Sequence, residues 1–318
     1  MMKFVGRYMP GLAMVTLLVL AGMLSARLVP GLGAVTATIL WGMVLGNTIG
    51  VRASWKSGVR IAGKKMLNVA IALMGLELEL SVAAGLGLRT VPIIVGVIGG
   101  SIFLGIVMGR LFRLPAGLAL LLGIGNGICG SAAIAASAPV IDAGKDDVGI
   151  SIAVVNLMGA IGIFLIPAIA LLLGLEASES GLLIGGTLQA VGQTVATGLR
   201  MGDEVARLAT MVKMGRVLLL GAVLILLSIS YRKKSAGRFP VPPFIVAFVL
   251  LAVLVNVLPV SEAVLTAVGE LQDVLLLAAV AAIGLGIEIR SIARYGVAAF
   301  LLSGIIFAVN ILLVLALM

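Results

Sequence analysis

The sequence predicts an all-α, polytopic membrane protein. Of its 318 residues 62% are hydrophobic and 11% charged. The mean hydropathy is +1.29. The apolar residues fall into about eleven stretches of spanning length, joined by short charged connections. A soluble domain cannot bury that much apolar surface, so the surrounding solvent is lipid. A net charge of +9 and a pI of about 10.2 would point to nucleic acid in a soluble protein. Here the basic residues sit between apolar runs, where membrane orientation accounts for them.

In chain order the stretches are 9–28, 33–50, 66–86, 90–112, 116–141, 148–173, 181–199, 205–231, 242–258, 263–287 and 295–318. Lys3 and Arg7 precede the first as in a signal peptide, but no extramembrane domain follows, so it reads as a retained helix. With the N-terminus cytoplasmic, the inner loops hold Arg52, Lys56, Arg60, Lys64 and Lys65, then Arg110 and Arg113, then Arg232, Lys233, Lys234 and Arg238, then Arg290 and Arg294. The outer loops hold Asp142, Asp146, Asp147 and Glu262, in keeping with the positive-inside rule. Glu176 and Glu179 fall inside, against the trend. This places the chain in the inner membrane with a periplasmic C-terminus. Arg52, Lys56, Arg60 and Lys64 recur every fourth residue, which predicts a helix lying on the anionic inner leaflet as an anchor.

The segment 70–87 matches 279–296 at a constant offset of 209, pairing Gly75 with Gly284, Leu76 with Leu285, Glu79 with Glu288 and Gly87 with Gly296. The two segments belong to the third and tenth stretches, which run in opposite directions, as an inverted repeat requires. The expected organisation is one integral membrane domain, with an extra helix over 1–30, a first repeat over 31–175 and a second over 176–318.

The stretch 123–141, GIGNGICGSAAIAASAPVI, cannot be an uninterrupted helix. Gly123, Gly125, Gly127 and Gly130 each cost about 1 kcal/mol of helix propensity relative to alanine, and Asn126, Cys129 and Ser131 add polar atoms at the same depth. A helix that breaks near Asn126–Gly130 and restarts near Ser131 would aim its half-helix ends at a mid-membrane ligand. A glycine-rich packing face is the plainer reading. In the eighth stretch, Lys213 and Arg216 share a helix face near mid-membrane with no acidic residue within a turn. They suit an anion site, or else pair with a distant carboxylate such as Glu77, Glu79 or Glu288. The seventh stretch carries Gln189 and Gln193 among Thr187, Thr194 and Thr197, fit for contacting an oxyanion or for joining helices. Glu79 and Glu288 are candidate proton carriers. The chain has no histidine and one cysteine, so a disulfide, a cysteine-rich metal site and the usual zinc or haem ligand sets are not expected. No nucleotide-binding loop or catalytic triad is present, and neither an enzyme activity nor a cofactor is expected.

At these residues a resemblance emerges. GICGSAAIAASAPVI, then Asp142 and VGISIAVVNL, resembles the signature of the YeiH-like sulfate exporter family. VKMGRV over 212–217 is similar to that family's basic intramembrane motif, and AAIGLGIEI to its penultimate span. The resemblance implies a bacterial inner-membrane carrier related to the bile-acid symporter and cation/proton antiporter superfamily, with inverted five-helix repeats and broken crossing helices. Cys129, Gly130, Lys213 and Arg216 match its motifs by position. Gly127 and Ala132 stand where the family tends to have serine, and Gln189 and Ala190 where it has histidine followed by an acidic residue.

The function expected is secondary transport of a small anion, of the sulfate, sulfite or short organosulfonate type, by alternating access and outward in direction as an exporter would run. Asn126, Cys129, Gly130, Ser131, Gln189, Gln193, Lys213 and Arg216 form the expected site. The expected partners are the anion and the bilayer, with a coupling H+ or Na+ and a homodimer left open, and no nucleic acid. A monovalent cation/proton antiporter on the same scaffold and an anion channel are the alternatives.

Overall fold

The computed structural model describes residues 2–28, 33–77, 90–231, 243–287 and 289–318. Every regular element among them is helical. Helix α1 (Met2–Leu28) is followed by α2 (Ala34–Thr48). A third rod is built from α3 (Lys56–Ile61), a π turn (Ala62–Met66), α4 (Leu67–Leu73) and a 3-10 turn (Met74–Glu77). After α5 (Thr90–Leu111) come two short helices, α6 (Ala116–Gly127) and α7 (Ser131–Ile141), and then the long α8 (Lys145–Leu172). The pattern recurs with short α9 (Ala177–Thr187) and α10 (Val191–Met201) before long α11 (Asp203–Ser230). The chain ends with α12 (Pro243–Val257), α13 (Glu262–Gly284) and α14 (Ile289–Leu317). Six of these helices are long and apolar enough to cross a membrane: α1 from Tyr8, α5, α8, α11, α13, and α14 from Ala293. The protein is a multi-pass membrane protein.

Close backbone approaches at glycines fix the directions, because only a missing Cβ lets helices come this near. Gly42 packs on Ala281 and Gly284, and Gly46 on Leu285, so α2 and α13 run parallel. Gly96 meets Leu313 and Gly109 meets Leu302, so α5 and α14 run antiparallel. Gly149 meets Ile287 and Gly162 meets Phe307, so α8 runs parallel to α14.

The short helix pairs correct the sequence reading. Stretches 116–141 and 181–199 were each expected to cross the membrane, the first as a broken crossing helix. Gly117 at the start of α6 packs against Ala143 and Asp147, just past the end of α7, while Gly125 packs on Ile134. A straight path of that length would separate Gly117 from Ala143 by about 35 Å. The chain therefore folds back at Ile128–Gly130, and α6–α7 is a re-entrant hairpin. In the same way Gly181 of α9 and Gly198 of α10 both pack on the first turn and a half of α11, at Val205 and Ala206. The α9–α10 pair is a second re-entrant hairpin, folded at Leu188–Ala190. Since α8 runs the full thickness between them, the hairpins enter from opposite faces and meet tip to tip. Hydropathy counts residues and not direction, so two helices of about eleven residues pass for one crossing.

The reversal also moves a loop. The connection holding Asp142, Asp146 and Asp147 was expected on the face opposite Lys56, Arg60 and Lys64, yet Asp142 lines one cavity with all three. Lys56–Ile61 is likewise not a surface anchor: it leads through the π turn into α4 as the start of the third rod. The test is side-specific labelling. Cysteines at Ser54 and Gly144 should react with an impermeant maleimide from the same side, and one at Ser178 from the other. The eleven-crossing reading requires Gly144 to part from Ser54 and Ser178 to join it.

Candidate functional site

The site is built at the hairpin tips. The first breaks because Gly127 is the last helical residue, Ile128 leaves the helical region, and Gly130 adopts φ 70° and ψ −130° before α7 restarts at Ser131. The Gly130 N–H reaches back to the Gly125 carbonyl at 3.0 Å. The second breaks at Leu188, Gln189 and Ala190, with Leu188 and Ala190 extended and Gln189 at a bend, without any glycine in the turn. The tips touch, with Gly130 facing Gln189.

Each tip holds a helix C-terminus, with unpaired carbonyls, beside a helix N-terminus, with unpaired N–H groups. Lys213 and Arg216, both fully buried on α11, serve the carbonyl side. The Lys213 ammonium donates to Ile128 O at 2.6 Å and Leu188 O at 2.8 Å, one from each hairpin. The Arg216 guanidinium donates through Nε to Gly127 O (2.9 Å) and through Nη2 to Asn126 O (2.7 Å). Its Nη1 donates to Gly185, Gly186 and Leu188 carbonyls at 2.9–3.0 Å. Six carbonyls from two hairpins thus converge on two side chains. Every partner found for these head groups among the described residues is a backbone carbonyl.

The charge sum at the tips is informative. A helix C-terminus carries about half a negative charge, so α6 and α9 together offset about one of the two buried positive charges. The N-termini of α7 and α10 add about half a positive charge each. With both side chains protonated, the tip region holds more positive than negative charge.

The other expected residues divide between the contact and a cavity. The Asn126 amide donates to Leu122 O and to Ser303 Oγ of α14, while its Oδ1 accepts from Gln189 Nε2 at 3.2 Å. These bonds tie the two tips to each other and to α14. Gln189 Oε1 is buried with no hydrogen-bond partner among the described residues. Cys129 is buried between the helices. Ser131 and Gln193, the first and third residues of α7 and α10, line a cavity of about 470 Å³ with Ala190, Gly192, Thr36, Asn156 and Asp273. The Gln193 side chain accepts from the Ala190 N–H at 3.2 Å and lies against Gly159, where any Cβ would displace it. Glu79 and Glu288 lie outside the described residues, as does the side chain of Glu77.

Sequence reasoning missed four residues here. Asn156 donates to Thr36 Oγ1 at 2.9 Å across the cavity wall, Ser303 completes the tip contact, and Asp273 supplies the cavity with a carboxylate. A lone polar residue inside an apolar run was the available signal for Asn156 and Ser303, and the polar run Glu270, Gln272 and Asp273 was the signal for Asp273. Thr36 carries no such signal.

A family model described as Conserved hypothetical protein 698 matches residues 10–303. The chain is 36% identical over 244 residues to a UPF0324 membrane protein of Agrobacterium fabrum, covering 76% of this chain and 70% of the relative. It is 34% identical over 303 residues to one of Corynebacterium glutamicum (93% and 88%), and 34% identical over 282 residues to one of Pseudomonas aeruginosa (83% and 79%). No solved structure matches.

Proposed function

We propose that this chain, which belongs to the Conserved hypothetical protein 698 family of UPF0324 membrane proteins, is a secondary transporter of a small anion. The observation that carries the reading is the pair of fully buried basic side chains that hold two meeting hairpin tips. Cations that cap carbonyls from behind leave the N–H groups of α7 and α10 free to face a ligand in the adjoining cavity. Ser131 and Gln193 would touch the anion there. Lys213 and Arg216 would act through the field and by holding the tips, and Asn126 by joining them.

Alternating access has a structural basis in two cavities. The one at the tips lies beside Gly33–Thr36 at the start of α2, and the other beside Val51 just past the end of α2. They lie towards opposite faces, with the hairpins between. The inverted repeat is supported by two features with one spacing. Ala34–Thr48 and Pro243–Val257 are 15-residue helices 209 positions apart, and Ser101 and Asn310, also 209 apart, hydrogen bond across the α5–α14 contact at 3.0–3.1 Å. The hairpins match in design. In this arrangement the second repeat runs from α9 to α14 and carries its hairpin first, whereas the first repeat carries it after α5. We assign the inner membrane, with the N-terminus cytoplasmic.

A cation/proton antiporter is the second reading, favoured by Asp273 on the cavity wall. Thermal stabilisation of the purified protein separates the two, since a ligand that binds the folded state stabilises by RT ln(1 + [L]/Kd). Sulfate, sulfite and short sulfonates should raise the melting temperature while Na+, K+ and Li+ at matched ionic strength do not. Asp273→Asn should keep or strengthen the anion response. A cation response lost in Asp273→Asn, with none to anions, overturns the anion reading.

A further inference from the structure

The second cavity, of about 610 Å³, is lined by Lys56, Arg60, Lys64 and Lys145 with Asp142 and Asn68 among its polar residues. Among the described residues, four cations face one carboxylate in a single recess. Like charges gathered on a surface normally spread apart into solvent, and three features hold these together. Lys56, Arg60, Lys64 and Asn68 are each four residues apart, and a regular α-helix drifts about 40° over every four residues. The π turn at Ala62–Met66 rotates less per residue, which takes back much of that drift and keeps all four on the cavity side. Lys145, the first residue of α8, lies with its stem against Gly286, where the absent side chain makes room. The recess is closed by Ala138, Pro139 and Ala143 at the base of the first hairpin and by Ala282 and Ile283 of α13.

From this cluster we propose a second anion site, distinct from the hairpin tips, that takes a phosphate- or sulfate-like oxyanion group. The excess of three positive charges over Asp142 suits a group carrying two negative charges or a phosphodiester with further anionic neighbours. The walls come from the third rod, α13 and the first hairpin's base, so an occupant bridges the hairpin to the helices it must move against. Two sources share this chemistry: a free oxyanion approaching the transport path, and the headgroup of an acidic phospholipid. The proposal does not depend on the transport reading, because it concerns binding at Lys56, Arg60, Lys64 and Lys145 alone.

The test compares the full-length protein with Lys56→Gln/Lys64→Gln and with Lys145→Gln. In delipidated detergent solution, inorganic phosphate and sulfate are titrated against melting temperature. In parallel, melting is measured in nanodiscs of phosphatidylcholine with and without phosphatidylglycerol. A stabilisation of the parent by phosphate or sulfate that weakens about tenfold or more in apparent affinity in both variants supports the site with a free oxyanion. A stabilisation by phosphatidylglycerol alone, lost in both variants, supports it with a lipid headgroup. Arg216 and the hairpin tips are unchanged in these proteins, so a tip-bound anion would stabilise parent and variants alike. Equal responses in parent and variants, or no response to either probe, overturns the proposal.

Discussion

Replacing Arg216 with methionine should destabilise the protein by about 3–5 kcal/mol, the scale of breaking a buried charge network. The side chain engages five carbonyls from both hairpins through Nε, Nη1 and Nη2. Methionine keeps the stem and the helix propensity but takes this donor from all five and leaves only Leu188 O with another, from Lys213, each unmatched group costing about 1–3 kcal/mol where nothing else can bond it. Were the cation unpaired and waiting for substrate, its removal would be neutral or stabilising. The geometry therefore sets a definite sign. Lys213→Met should follow in the same direction with a smaller loss, because its ammonium serves two carbonyls. Melting temperature and sulfate affinity measured together check this. An Arg216→Met protein that melts like the parent would mean the carbonyl capping carries no weight.

Gly130→Ala should cost anion response out of proportion to stability. Gly130 sits at φ 70° and ψ −130°, a region costing a side-chain-bearing residue about 1–3 kcal/mol. A Cβ there would also meet the Gln189 Cβ at 3.4 Å, with the backbone of Gln189 just behind it. To relieve the strain the tip must rotate, and the N–H groups at the start of α7 turn with it. Apparent affinity for the stabilising anion should fall about tenfold or more, against a loss of roughly 1–3 kcal/mol in folding. Gly192→Ala is the control: it lines the same cavity but has open space around its Cβ position and an ordinary φ. A parallel loss in both variants would assign the Gly130 effect to crowding of the cavity and not to tip geometry.

How much of this was legible depends on the range of the interaction. The break before Ser131 was readable because glycine marks it locally, and α7 does begin at Ser131. The second break was not, since Leu188, Gln189 and Ala190 carry no helix-breaking signal and the turn is held by tertiary contacts. The burial of Lys213 and Arg216 was readable from their depth in an apolar run. Their partners were not, because a sequence displays side chains while the acceptors are backbone carbonyls that exist only once the hairpins turn. Family membership was legible from the motifs around Cys129 and Lys213. Asp273 was overlooked because a carboxylate close to Glu270 and Gln272 takes its meaning from what faces it, here Ser131, Asn156 and Gln193 across the cavity.

The capping of both hairpins from α11 has a consequence for biogenesis. Lys213 lies 85 residues after Ile128 and 25 after Leu188. At about 5–20 residues per second of synthesis, the Ile128 carbonyl exists for about 4–17 s before its cap has been made, and the Leu188 carbonyl for about 1–5 s. In that interval the carbonyls of Asn126, Gly127 and Ile128 cannot rest in hydrocarbon, where no donor exists. The first hairpin must wait at the aqueous surface or within the insertion machinery, and enter the bundle with α11 as its template. Chains truncated before Lys213 should accordingly leave 116–141 accessible to protease, and extension of the nascent chain through α11 should protect it.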